Sequence, residues 1–273
     1  MPEIIYGTAW KKTRTAELVA RAIALGFRAI DTACQPKHYD EAAVGAGIAR
    51  CLSATLTRPQ LYLQTKFTPV SGQDPGRIPY DAGAPLAEQV AQSFAVSLRN
   101  LQTSYLDCLV LHSPLATPRA TREVWRALER LADAGGARLL GISNCYDIED
   151  LKALHAAARV KPSVVQNRFY AETGYDREIR AFCRAQGMTY QSFWTLSANP
   201  QLLAATAITT LAARYRRTPA QILFRYLTQA GIVPLTGTTS DAHMREDLEI
   251  FTFELAPAER EGIAALLSPA ESP

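Results

Sequence analysis

The chain has 273 residues, 48% of them hydrophobic, and Lys plus Arg exceed Asp plus Glu by only three, so it can bury one large core. Its basic residues are scattered rather than stacked in runs, which announces no nucleic-acid or anionic-membrane surface and predicts a small molecule as partner, with no nucleic acid and no membrane. Five cysteines (Cys34, Cys51, Cys108, Cys145, Cys183) stand far apart without a C-x-x-C pair, and neither a signal-like N-terminus nor a membrane-length apolar run is present, which argues against a disulfide framework or zinc site and for a cytoplasmic protein.

In chain order, the first short apolar run is "IIYGT" (4–8), followed by helical periodicity over 15–25. The second, "FRAID" (27–31), ends on Asp31; a Pro-broken loop follows, and Tyr39 stands at the mouth of a helix-like segment. Next come "LYLQTKF" (61–67) with a helical stretch over 86–101, and "LDCLVLH" (106–112) with one over 122–134. "ARLLGIS" (137–143) precedes periodicity over 148–158, and "SVVQNRF" (163–169) precedes periodicity over 177–186. After "TYQSFW" (189–194) two helical stretches follow, about 201–215 and 219–230; after "GIVPLTG" (231–237), "DAHMREDL" reads as a short extra helix. Eight runs apolar on both faces, alternating with helices, predict an α/β fold of the (β/α)8 TIM barrel type, with residues 1–273 as one domain. An open doubly wound sheet is the alternative.

In such a barrel the chemistry gathers at the carboxyl ends of the strands. Those ends carry Asp31, Lys66, His112, Ser143 with Asn144, Gln166, the aromatic pair Phe193 and Trp194, and Thr236 with Gly237. Taken singly, Asp31 reads more readily as a helix cap, Lys66 as a snorkelling stem and His112 as a satisfied, half-buried histidine. Together with Tyr39 they form an acid, a cation, an imidazole and a phenol at one rim. The four histidines lack paired ligand spacing, so no metal is expected. The chemistry such a set supports is protonation of a carbonyl oxygen while hydride reaches its carbon. A free phenol, with a pKa of about 10, is a slow donor. We expect the Lys66 ammonium to lower that value, Asp31 to hold Lys66, and His112 to position the carbonyl.

The segments "GFRAIDTA", "TKF", "SYLDCLVLHSP", "LLGISN", "VVQNRF" and the stretch ending "EDL" resemble the aldo-keto reductases, from about Ile4 to Leu255. The "QPKHY" loop resembles a form found in a plant and fungal branch of that family. The resemblance implies a (β/α)8 barrel that uses NADPH, with NADH as the alternative, to reduce an aldehyde or ketone without metal or flavin. It implies a catalytic tetrad of Asp31, Tyr39, Lys66 and His112, with Tyr39 as general acid. Ser143, Asn144 and Gln166 match the groups that hold the nicotinamide carboxamide, Thr8 and Asp31 are also expected to bind the cofactor, and Phe193 replaces the usual stacking tyrosine. Leu196 and Ser197 match the pyrophosphate loop. Thr236, Gly237, Thr238, Thr239, Ser240, His243, Glu246 and Asp247 cover the segment for the adenosine phosphate end.

This chain departs from the family pattern in three places. "CQPKH" looks like an insertion that puts Pro36 where the family tyrosine falls, which leaves Tyr39 as the phenol and His38 as reserve donor. Leu235 and His243 take the places of a lysine and an arginine that pair with the 2′-phosphate in many NADPH-preferring members; local hydroxyls and Arg245 remain. Ser113 replaces a bulky tryptophan, and the chain stops soon after a last helix near Leu267, so an open substrate pocket edged by Trp10, Phe67, Ser113 and Trp194 is expected. Two other readings stay open: a cofactor-binding regulatory subunit without turnover, and a non-redox isomerase or cyclase.

Overall fold

A computed structural model describes residues 2–267. The eight apolar runs become β1 (Ile5–Gly7), β2 (Ala29–Asp31), β3 (Tyr62–Phe67), β4 (Leu106–Leu111), β5 (Ala137–Ser143), β6 (Val164–Arg168), β7 (Thr189–Phe193) and β8 (Ile232–Thr236). They pair in sequence order, all parallel, and β8 returns to β1, so the sheet closes into a barrel. The predicted barrel is thus the observed one, and the open sheet is excluded.

Eleven helices are present among the described residues: α1 (Thr15–Leu25), α2 (Glu41–Ala49), α3 (Leu86–Leu101), α4 (Pro118–Asp133), α5 (Ile148–Ala157), α6 (Arg177–Ala185), α7 (Pro200–Ala204), α8 (Thr206–Tyr215), α9 (Pro219–Gln229), α10 (Asp241–Leu248) and α11 (Pro257–Leu266). Two differ from the sequence reading for local reasons. Helix α4 starts at Pro118, not 122, because Pro suits a first helical turn and the Thr117 side chain caps it by accepting from Ala120 N. The stretch read as one helix over 201–215 breaks at Ala205, which is extended (φ −63, ψ 138) and ends α7 before α8 begins.

Parity along each strand sets what the barrel holds, because successive side chains point to opposite faces. Leu63, Leu109 and Leu111 join the large core between barrel and helices. One small interior layer holds Ile5, Ala29 and Val233, and another holds Cys108, Val110 and Val164. A polar layer accompanies them: the register places Asp31 beside Gln64, and Gln166 beside both Ser143 and Gln191.

Helix α2 fixes the loop that carries Tyr39. Its N-cap, Asp40, accepts from Ala43 N at 2.9 Å, and the chain just before it turns back through Tyr39 N donating to Gln35 O at 3.1 Å. The helix is wedged between two neighbours. A Cβ on Gly45 would lie 2.1 Å from the Asn100 carbonyl oxygen at the end of α3, and one on Gly47 would lie 2.6 Å from the Ala16 carbonyl oxygen of α1.

Gly45→Ala is therefore expected to lower stability by about 3 kcal/mol or more, since backbone must shift to admit the methyl. Gly262→Ala in α11, with nothing within 4 Å of its Cβ, should raise stability by about 0.5–1 kcal/mol. Urea unfolding of both variants checks the pair.

Candidate active site

Lys66 and Asp31 are 1% and 2% exposed. The Lys66 ammonium donates to both Asp31 carboxylate oxygens, at 2.7 and 2.6 Å, and to the Thr32 carbonyl at 2.8 Å. Such a buried pair persists only when the remaining lone pairs are also satisfied. Asp31 Oδ1 accepts from Gln64 Nε2 at 2.7 Å and from Gln166 Nε2 at 3.0 Å. Gln191 closes the network: its Oε1 accepts from Gln64 and Gln166, both at 2.9 Å, and its Nε2 donates to Gln64 Oε1 at 3.1 Å.

Tyr39 and His112 sit above this pair. Lys66 Nζ is 5.3 Å from the Tyr39 ring centroid, and the Tyr39 and His112 rings meet edge to face with centroids 6.0 Å apart. The structure therefore brings together all four residues of the proposed tetrad, and the "CQPKH" segment delivers Tyr39 to the rim.

One electrostatic expectation is corrected. Burial, and secondarily the Asp31 charge, push the Tyr39 phenol far above its ordinary pKa; the Lys66 charge does not win. The Asp31 carboxylate stands beside the ammonium and acts on the phenol in the opposite sense. Tyr39 is thus held protonated.

The His112 imidazole is held well below its ordinary pKa by burial and by the Lys66 charge, so it is neutral and carries one N–H. Thr68 Oγ1 lies 2.6 Å from its Nδ1. Among the described residues that hydroxyl has no other acceptor, so its proton goes to Nδ1 and the imidazole proton sits on Nε2, available to a carbonyl oxygen in the cavity.

A cavity of about 1000 Å³ opens over these groups. Asp31, Tyr39, His112, Ser143, Asn144, Gln166, Phe193, Leu196 and Ser197 line it, as do Thr236, Gly237, Thr238, His243, Glu246 and Asp247. Trp10 and Trp194 stand at its mouth, 56% and 49% exposed. Trp10 stacks on His38 with centroids 3.9 Å apart.

Several predicted contacts fall elsewhere. Phe67 is not a pocket residue: it follows inward-facing Lys66, points outward by strand parity, and packs on Tyr80. Ser113 is half-buried and does not line the cavity. Thr8 is buried, and its hydroxyl donates to the Asp31 carbonyl at 2.9 Å, so it braces β2 from β1. Thr239 and Ser240 also lie outside the cavity lining; the Ser240 side chain caps α10 by accepting from His243 N. The C-terminal segment beyond 267, where no pocket-narrowing loop was expected, lies outside the described residues.

The sequence reading missed Gln64, Gln191 and Thr68. Each stands two residues from a site residue along a strand direction, which was the signal available. It also missed Lys11, whose ammonium donates to the Gly237 carbonyl, and Arg168, which lines the cavity at the end of β6.

The site fits a nicotinamide carboxamide. Gln166 Nε2 is used by Asp31 and Gln191, which leaves Oε1 as an acceptor on the cavity side. Asn144 is fixed in a left-handed conformation (φ 53) by donating to the His112 carbonyl at 2.8 Å, and Phe193 offers a flat face.

The family model described as "Aldo/keto reductase family" matches residues 3–268. The chain belongs to the aldo/keto reductase family. It is 31% identical over 250 residues to the glyoxal reductase of Bacillus subtilis (strain 168), covering 92% of this chain and 82% of that one. It is 28% identical over 293 residues to deoxymugineic acid synthase 1-D of Triticum aestivum, covering 97% and 88%. Among solved structures, the aldose reductase of Schistosoma japonicum superposes with a TM-score of 0.83 at 21% identity, covering 100% of this chain and 91% of that one, which shows the shared fold. As a family member this aldo/keto reductase is an NAD(P)H-dependent oxidoreductase acting on carbonyl compounds. Among the described residues no helix is long and apolar enough to cross a membrane.

Thr68→Val keeps the shape but removes the hydroxyl from Nδ1, so both imidazole tautomers become accessible. Its kcat for carbonyl reduction should fall about tenfold to a hundredfold with cofactor affinity intact, and Thr68→Ser should recover most of it. Steady-state kinetics of the two variants decide this.

Burial raises the Asp247 carboxyl from 3.8 to about 6, although Thr236 Oγ1 donates to it at 2.6 Å. Folding favours its protonated form, so its stabilising contribution is present below about pH 4 and is lost as pH rises through 6. Asp247→Asn should therefore stabilise the cofactor-free protein more at pH 8 than at pH 4, by up to about 3 kcal/mol. Denaturant midpoints at both pH values measure it.

Proposed function

We propose that the protein is an NADPH-dependent carbonyl reductase that converts an aldehyde or ketone to an alcohol, with Tyr39 as general acid. The observation that carries this reading is the convergence of Tyr39 and His112 over the buried Lys66 and Asp31 pair, on the wall of one cavity.

A bound nicotinamide supplies hydride to the carbonyl carbon. The His112 Nε2–H donates to the carbonyl oxygen and fixes its position. As negative charge grows on that oxygen, the Tyr39 hydroxyl delivers its proton, and Lys66 stabilises the phenolate left behind. Asp31 keeps Lys66 aimed, and the amides of Gln64, Gln166 and Gln191 keep Asp31 in place. Ser143, Asn144 and Gln166 would hold the carboxamide, Phe193 would offer its face to the ring, and Leu196 with Ser197 would lie along the pyrophosphate.

For the 2′-phosphate of NADPH, Thr238 and the start of α10 offer hydroxyl and backbone N–H groups, and the exposed Arg245 offers charge. The five free cysteines, four of them buried, suit work in the reducing cytoplasm. The glyoxal reductase among the relatives makes small reactive aldehydes the first substrates to try.

The purified protein should consume NADPH faster than NADH when aldehydes are added, followed at the reduced-nicotinamide absorbance. Product without cofactor consumption would indicate an isomerase or cyclase, and tight cofactor binding with no product a regulatory subunit. Tyr39→Phe should lower kcat by about 10²–10⁴-fold while NADPH affinity, read by fluorescence titration, stays nearly constant. Retained turnover in that variant would move the donor role to His38.

A further inference from the structure

One cation in the cavity has no part in the reaction proposed above. Arg168 ends β6, two residues after Gln166, and lines the cavity. Its guanidinium carbon lies 4.1 Å from the Trp194 ring centroid and 5.1 Å from that of Tyr170. Stacking against rings occupies the faces of a guanidinium and leaves its edge, where all five N–H groups point.

Among the described residues none of those N–H groups has a protein acceptor, and Nε is itself buried and unpartnered. Arg58 is held by Asp107 at 2.9 Å and Arg217 by Glu249 at 2.5 Å; Arg225 and Arg260 share a buried, unpartnered Nε with Arg168, but neither lines the cavity. Nε is covered by protein, so a ligand oxygen would meet the terminal N–H groups, which are not among the buried atoms and have no protein acceptor among the described residues. Trp194 adds a second sign of a built site. It holds a left-handed backbone (φ 57), which is strained for a bulky residue, and in that conformation presents its indole to the guanidinium.

The ligand chemistry is a planar anion that can engage the fork of N–H groups, as a carboxylate does. Two sources can bring an anion here: the substrate and the cofactor diphosphate. The groups assigned to the diphosphate, Leu196 and Ser197, stand on the loop after β7, which Trp194 begins. Arg168 instead belongs to the corner of β5 and β6: its backbone N donates to Tyr146 Oη at 3.1 Å, and that hydroxyl donates to Asn144 at 3.2 Å. We propose that Arg168, backed by Trp194, forms an anion subsite for a carboxylate on the substrate, so that the substrate class is an aldehyde or ketone that also carries a carboxylate. This rests on the carbonyl reductase reading and narrows it.

The test compares para-carboxybenzaldehyde with benzaldehyde as substrates for the wild-type protein, Arg168→Met and Arg168→Lys. Wild type should prefer the carboxylated aldehyde by about tenfold or more in kcat/KM, mostly through KM. Arg168→Met, which keeps an apolar stem against the rings, should lose that preference while its kinetics with benzaldehyde and its NADPH affinity stay unchanged; Arg168→Lys should keep part of it. Equal activity of wild type on both aldehydes would overturn the proposal. So would a variant that loses NADPH affinity and slows on both, since Arg168 would then serve the diphosphate. A binding measurement separates this from failure of the reductase reading: calorimetry of NADP⁺-loaded protein with para-carboxybenzyl alcohol against benzyl alcohol. Carboxylate-selective binding lost in Arg168→Met upholds the subsite even in a protein that turns nothing over. Equal binding of the two alcohols sinks it.

Discussion

A charged pair inside a barrel is the constraint on which the site depends. Removing Asp31 and Lys66 from water carries a desolvation cost of several kcal/mol per ion, and mutual attraction offsets it only when every remaining oxygen and proton finds a partner. Asp31 reaches that state through one ammonium and two glutamine amides. The consequence reaches Tyr39. The carboxylate that pairs with the ammonium also disfavours a negative charge on Tyr39, and with burial it holds the phenol protonated. The resting site is therefore armed as an acid, and the Lys66 charge becomes available to Tyr39 as a phenolate forms there.

Strand parity distributes these roles with few residues. Along β3 and just past it, positions 64, 66 and 68 share one side: Gln64 satisfies Asp31, Lys66 pairs with it, and Thr68 reaches His112. The intervening positions face the helices, where Thr65 donates to the buried Glu41 at 2.6 Å and Phe67 packs on Tyr80. Along β6, Gln166 and Arg168 face the cavity, while Asn167 faces away and donates to Asp176. On β7, Gln191 closes the amide network one turn of parity below Phe193. A slip of one residue in any of these strands would exchange the site for core.

This also explains what could be read from the sequence. Eight apolar runs separated by helical periodicity were sufficient for the barrel, because burial on both faces leaves a strong compositional trace. Polar residues ending those runs marked the rim, and Tyr39, which follows the "CQPKH" segment, lines the same cavity. Phe67 was misplaced because, within a strand, the neighbour of an inward residue points outward; Ser113 lies past the end of β4, where parity gives no direction. Gln64 and Gln191 sit inside apolar runs, where one polar letter looks like noise until the register pairs it with another. Thr68 lies beyond the strand end, where no pattern states direction. The pKa of Tyr39 depended on a competition between burial and charge that residue types alone do not rank.

The barrel's inward positions are so committed to the ion pair and its amides that little of its interior is left to recognise a substrate. Recognition must then come from the loops and strand ends above them. Two tryptophans there, Trp10 after β1 and Trp194 after β7, hold positive φ and remain half open to solvent. Each lies against a polar group of the cavity, Trp10 on His38 and Trp194 on Arg168. An exposed indole held against backbone preference gains little from burial, so its conformation must be favoured by the group it covers. For Trp194 that group is a guanidinium without a protein acceptor among the described residues, which makes the end of β6 the place where this aldo/keto reductase can add selectivity to chemistry fixed deeper in the barrel.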